Sequence, residues 1–314
     1  MSKLRVAAVT NPGSRGHARL RPGALAKLRE ETHVVVELET RGRDDDRARI
    51  AELVAAADPD VLVAAGGDGT AGVAFGALLE AKLAERTALA FLPLGTGNNA
   101  ARSFGLRSLS DGASALTLAL RAIVSGPRRV IDAGLVDGRP FLGAFAIGMD
   151  ADVLRLRNRL QRRLESAGFD GGYSLYLGSV AASLLRRHGA PARVSVEGAL
   201  EAGPVYGLAA INTPVYAGPI RFDGANDCAD GRLDVLLVTS AWRYVAEYAS
   251  AWPRYLRILH GRSAAPSPRL RRARTLHVDL ERPVAAQADG EELPASASFR
   301  VGVLPRALRV CVPH

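Results

Sequence analysis

The 314 residues give enough chain for one large domain or two of medium size. Apolar residues make up 48% and charged residues 23%, and the two cysteines, Cys228 and Cys311, exclude a disulfide framework and lack the spacing of a metal knuckle. A net charge of +9, in which arginine supplies the excess, attracts polyanions but does not choose among nucleotides, nucleic acid and an anionic bilayer.

The first third alternates between strand and helix. Leu4–Thr10 reads as a strand, with none of the basic, apolar and cleavage regions of a signal peptide, and Asn11-Pro12-Gly13-Ser14 as a turn. Pro22–Glu31 reads as a helix with proline in its first turn, His33–Glu39 as a second strand, and Asp44–Ala57 as a helix whose opening acids suit the macrodipole. Asp60–Ala65 and Thr87–Leu94 are the third and fourth strands, with helical stretches running to Ala84 and to about Val124. This order predicts a mainly parallel sheet covered on both faces. After Gly126-Pro127 the pattern changes. Strands are expected at 129–136, 139–147, 192–196, 205–212, 233–239, 275–280 and 298–303, with helices at 151–166, 175–187 and 241–259. No apolar run nears the ~20 residues of a membrane span.

Three glycine-rich turns follow three of the first four strands: residues 11–16, Gly66-Gly67-Asp68-Gly69-Thr70, and Gly95-Thr96-Gly97-Asn98-Asn99. In an open α/β sheet all three fall on the ligand-binding edge, where glycine lets backbone N–H groups approach phosphate oxygens and helix N-termini favour negative charge. Thr70 and Thr96 add hydroxyl donors. Asp68 is a carboxylate among phosphates, a placement that calls for a divalent cation such as Mg2+. No Gly-Lys-Ser or Gly-Lys-Thr follows a turn, so the P-loop pattern is absent.

These turns, with Asn11-Pro12, Ala146-Ile147-Gly148-Met149-Asp150-Ala151, Asp230-Gly231-Arg232-Leu233-Asp234-Val235 and Ala288-Asp289-Gly290-Glu291 in order, resemble the motifs of the diacylglycerol kinase and sphingosine kinase catalytic-domain family, bacterial lipid kinases included. The resemblance covers nearly the whole chain. It implies an α/β nucleotide-binding domain related to phosphofructokinases and NAD kinases over 1–130, rejoined by a returning strand at about 304–314. A β-rich, sandwich-like lipid-substrate domain over 131–303 is implied with it. It also implies an ATP-dependent lipid kinase with Mg2+, in which Asn11, Thr40, Gly66, Gly67, Asp68, Gly69, Thr70, Gly72, Gly95, Thr96 and Asn98 contact the nucleotide.

On the same resemblance Glu291 is the proton acceptor, supported by Asp289, and Asp68 joins the Mg2+ network. Asp227, Asp230 and the Arg232 carbonyl match a second, structural metal site, although Asp-Gly is also an ordinary turn pair. The chain departs from the family at Asn99, where an acid is usual, and at Gly72, where asparagine is usual. The arginines at 155, 157, 159, 162 and 163, at 186–187, and at 269, 271, 272 and 274 suit transient docking on an anionic membrane, or a solvated face. The expected place is therefore the cytoplasm, at the inner face of the membrane. A nucleic-acid partner is not expected, because few aromatics interleave with these arginines, and a homodimer is left open. An NAD kinase, or a weakly active nucleotide- or lipid-binding protein, is the alternative reading.

Overall fold

A computed structural model describes residues 3–12, 20–42, 45–95, 97–166, 172–185, 188–216, 220–222, 226–259 and 267–314. The chain divides into two compact units, Met1–Ala133 with Leu304–His314, and Gly134–Val303.

Unit 1 alternates β1 (Arg5–Thr10), α1 (Arg21–Glu31), β2 (His33–Glu39), α2 (Asp46–Ala57), β3 (Val61–Gly66), α3 (Asp68–Glu80), β4 (Ala88–Pro93), α4 (Asn99–Ser103) and α5 (Ala113–Val124). Its strands are parallel in the order β2-β1-β3-β4. All six residues of β3 and of β4 are buried, which is why both read as unbroken apolar runs. The strand order reverses between β1 and β3, so the crevice where open α/β sheets bind ligands lies beyond Thr10 and Gly66. Near the end of the chain Val310 pairs in parallel with Leu89, adding a strand beside β4.

Unit 2 contains β6 (Arg139–Phe141), β7 (Ala144–Gly148), α6 (Met149–Ser166), α7 (Gly172–Leu184), β8 (Ala190–Val196), β9 (Ala199–Val205), β10 (Gly207–Ile211), β11 (Leu233–Val238), α8 (Ala241–Leu259), β12 (Leu270–Ala273) and β13 (Thr275–Ala288). Two strands cross the division between the units: β5 (Arg128–Val136) and β14 (Glu291–Cys311). The unit 2 pairings are antiparallel, with β12, β11, β10 and β7 laid side by side and β7 against the end of β13. One core lies among the strands around Phe141, Phe145, Ile147 and Phe299; a second, around Met149, Tyr206, Phe222 and Tyr244, lies where helices cover the sheet.

The strand expected to stop at Leu280 runs on to Ala288. Pro283 sits at a register irregularity between Asp279 and Val284, where its missing N–H costs no ladder bond. The expected strand 139–147 is two strands, broken at residues 142–143, and 205–212 is divided between the end of β9 and β10.

Candidate active site

The last residues of β3 and β4 are brought together by glycine. A Cβ on Gly95 would lie 2.3 Å from the Gly67 Cα, and one on Gly66 would lie 2.2 Å from the Thr70 Oγ1. The missing Cβ at Gly95, facing Gly67, lets the two turns touch, and the missing Cβ at Gly66 makes room for Thr70 within the first turn. The second turn is closed by Asn98, in the left-handed conformation at φ 53°, whose side chain accepts from the Gly95 N–H at 2.9 Å and donates to the Gly95 carbonyl at 2.7 Å. The Asn98 amide therefore shapes the turn, and Thr70 is buried under Gly66. Gly69 and Gly72 face open space, and Thr96 and residues 13–16 lie outside the described residues.

Helix α3 starts at this turn with no side-chain cap, leaving its first N–H groups for a ligand oxygen. Its first residue, Asp68, accepts hydrogen bonds from the Ala100 N–H at 3.1 Å and from the Asn99 Nδ2 at 3.2 Å. Burial pushes the Asp68 carboxyl above the usual carboxylate range, opposed by N–H groups of residues 98–100 and by the Arg102 charge. Gly97 keeps space open here, since a Cβ there would lie 2.8 Å from the Asp68 Oδ2. That free space suits a divalent ion carried by a nucleotide.

Beside the ends of β1 and β2 is a cavity of about 610 Å³, lined by Asn11, Pro12, Glu39, Thr40 and Arg49 among others. Thr40 is buried and its Oγ1 finds no hydrogen-bond partner among the described residues, an orphan that a nucleotide hydroxyl or phosphate would satisfy. The loop is held by Asp46, which sequence reasoning passed over as one of several helix-opening acids. Its carboxylate accepts from the N–H groups of Arg41 at 2.7 Å and Gly42 at 2.8 Å and pairs with Arg49 at 2.9 Å.

In unit 2, Asp289 and Gly290 form a two-residue turn with φ 51° and 83°, joining Ala288 of β13 to its cross-strand partner Glu291. The Asp289 carboxylate accepts from the N–H groups of Leu142 at 2.6 Å, Gly143 at 2.7 Å and Ala144 at 3.0 Å. It is thus a positioning residue that fixes the segment between β6 and β7. Glu291 is exposed, and among the described residues no hydrogen bond or ion pair engages its carboxylate. Asp150 of the mid-chain motif is half-buried and accepts hydroxyl hydrogen bonds from Tyr244 at 2.8 Å and from Tyr248, tying α6 to α8.

Asp227, Asp230 and Arg232, the expected second metal site, lie together in the loop before β11. Asp227 accepts from the Ala229 N–H at 3.0 Å and Asp230 from the Arg232 N–H at 2.9 Å, so each carboxylate caps its own turn. The positive charge is supplied from the neighbouring strand: Arg272 lies opposite Asp234 in the ladder, 3.4 Å from it and 3.7 Å from Asp230. Among the described residues no group of three or more acids, histidines and cysteines gathers as a metal site. Arg269 and Arg271 are likewise paired, with Glu247 and Glu201, so that arginine cluster is largely neutralised by the protein's own acids.

The pattern of the diacylglycerol kinase catalytic domain matches residues 5–136, and that of the YegS C-terminal NAD kinase beta sandwich-like domain matches residues 143–312. A diacylglycerol kinase from Mycobacterium tuberculosis (strain ATCC 25618 / H37Rv) is 30% identical over 322 residues, 99% of this chain and 96% of that one. The chain belongs to the diacylglycerol kinase family. It is a lipid kinase of that family, built as the motifs implied: an α/β catalytic domain followed by a sandwich-like one. A protein named "Probable lipid kinase YegS-like" from Pseudomonas aeruginosa (strain UCBPP-PA14) is 27% identical over 314 residues, covering 100% of this chain and 96% of that one. The crystal structure of a diacylglycerol kinase from Bacillus anthracis str. Sterne shares the fold at a TM-score of 0.67 and 19% identity, covering 99% of this chain and 98% of that one. Among the described residues no helix is long and apolar enough to cross a membrane.

Proposed function

We propose that this lipid kinase transfers the γ-phosphate of ATP to a hydroxyl of a membrane lipid such as diacylglycerol, with Mg2+ accompanying the nucleotide. The observation that carries the reading is the division of labour at the hairpin turn, where Asp289 is locked by three N–H groups while Glu291 beside it is exposed and unengaged. A base must have a free carboxylate on a fixed support, and Glu291 has both. As the lipid oxygen bonds to the γ-phosphorus, Glu291 takes the hydroxyl proton and the bond to the bridging oxygen breaks, leaving ADP.

Unit 1 supports the nucleotide assignment through the uncapped start of α3 beyond the switch point and the orphaned Thr40 hydroxyl. Mg2+ bound with the nucleotide would neutralise phosphate charge, with Asp68 as the nearest acid of this edge. A bilayer substrate brings the enzyme to a membrane surface on the cytoplasmic side, and the net charge of +9 favours an anionic one.

The test is incubation of the purified protein with γ-labelled ATP, Mg2+ and vesicles of phosphatidylglycerol containing diacylglycerol. A labelled organic-soluble product, absent with Glu291→Gln, supports the reading. Label on NAD+ instead, or ATP binding with no labelled product from diacylglycerol, a long-chain base or phosphatidylglycerol, would overturn it.

A further inference from the structure

The second glycine turn brings an amide against the carboxylate of the first. Asn99, the first residue of α4, donates from Nδ2 to the Asp68 Oδ2 at 3.2 Å, while the Ala100 N–H reaches the Asp68 Oδ1 at 3.1 Å. Asp68 is therefore surrounded by neutral donors, the N–H groups of residues 98–100 together with the Asn99 amide. The Asn99 backbone is fixed in turn, its carbonyl accepting from the Ser103 Oγ at 2.8 Å. Gly97 makes the meeting possible, because a Cβ there would lie 2.8 Å from the Asp68 Oδ2 and 3.5 Å from the Asn99 Nδ2.

An amide and a carboxylate attract one another with no ion between them. Two carboxylates at this separation would repel unless a cation bridged them. A hard divalent ion needs several oxygen ligands, and its affinity rises with the number of charged ones. One acid already engaged by neutral donors falls short of that. We propose that Asn99 sets the metal content of this edge: the nucleotide-free protein holds no divalent ion at Asp68, and the ion enters only with ligand phosphates. The inference rests on the nucleotide reading of unit 1 and identifies Asn99 as a positioning residue that acts through Asp68.

The experiment titrates Mn2+ into nucleotide-free protein and follows the free-ion signal by electron paramagnetic resonance, in parallel with thermal unfolding in EDTA and in Mn2+. The wild type and Asp68→Asn should give the same Mn2+ binding. Asn99→Asp should bind Mn2+ at least about tenfold more tightly, as a second charged ligand implies. Its unfolding temperature should fall in EDTA and recover in Mn2+, and the double variant Asp68→Asn/Asn99→Asp should lose both effects. Wild-type Mn2+ binding that disappears in Asp68→Asn would overturn the proposal, as would an Asn99→Asp variant that gains no site. The titration uses neither lipid nor turnover, so its result does not depend on whether the lipid assay succeeds.

Discussion

In unit 1 a single acid, Asp68, sits among glycines and is engaged by the Ala100 N–H and the Asn99 amide; in unit 2 two acids flank one glycine and divide the work. Asp289 commits its carboxylate to three backbone N–H groups, and Glu291 is exposed, its carboxylate engaged by no hydrogen bond or ion pair among the described residues. The two turns look alike as strings of glycine and acid. They differ in what their surroundings do to the carboxylate: at the first an amide and a backbone N–H of the other glycine turn engage it, and at the second three backbone N–H groups lock it, as the base proposed at Glu291 requires of its support.

The largest effect should separate the two acids of unit 2. Glu291→Gln should lower the rate of lipid phosphorylation about 10²- to 10⁴-fold, the usual worth of a general base. Its unfolding free energy should stay within about 0.5 kcal/mol of wild type, since the side chain is exposed. Asp289→Ala strands three N–H donors and should cost about 3 kcal/mol in urea unfolding, with activity falling as the loop loosens. If Asp289→Ala kept full stability and lost only activity, the positioning role would fail.

Sequence made the phosphate edge legible because its chemistry is backbone chemistry. Gly67 and Gly95 are where they are because the two turns touch, and that requirement appears directly as glycine. The parallel sheet was legible for a similar reason, since β3 and β4 are buried throughout and read as continuous apolar runs. Pairings between distant side chains were not legible. Nothing local announces that Arg272 faces Asp234 and reaches Asp230, so the guanidinium beside the 227–232 loop enters only with the ladder. Asp46 reads as a helix-dipole acid although its carboxylate holds the loop of Thr40. Family resemblance directed attention to Glu291 and Asp289, and the three N–H groups that hold the Asp289 carboxylate appear only with the fold.

The backbone contact at the phosphate edge gives the next effect. Gly95→Ala places a methyl 2.3 Å from the Gly67 Cα, where neither turn has a flexible side chain to move aside. Overpacking of this kind should cost about 2 kcal/mol and weaken ATP binding, as read by calorimetry. Tolerance of the alanine with unchanged ATP affinity would mean that the turns need not touch. A smaller effect is expected from Arg272→Met. Asp234 is nearly buried but Arg272 is 44% exposed, so the screened pair should contribute about 1 kcal/mol, less at high salt. EDTA should leave wild-type stability unchanged, and destabilisation by EDTA would restore a metal to the loop.

Gly72 gives the smallest effect and the sharpest contrast among the glycines. It lies inside α3, and a Cβ there meets nothing within 4 Å, unlike those built at Gly66 and Gly95. Its backbone is helical and its side-chain position open, so Gly72→Ala should stabilise the protein by about 0.5–1 kcal/mol, mainly by restricting the unfolded chain. Urea unfolding reads the gain, and lipid phosphorylation measured beside it reads the cost. Rising stability with unchanged rate would class Gly72 apart from the contact glycines. A fall in ATP affinity would instead mean that the nucleotide itself occupies the open space, which would then explain why the helix keeps a glycine there.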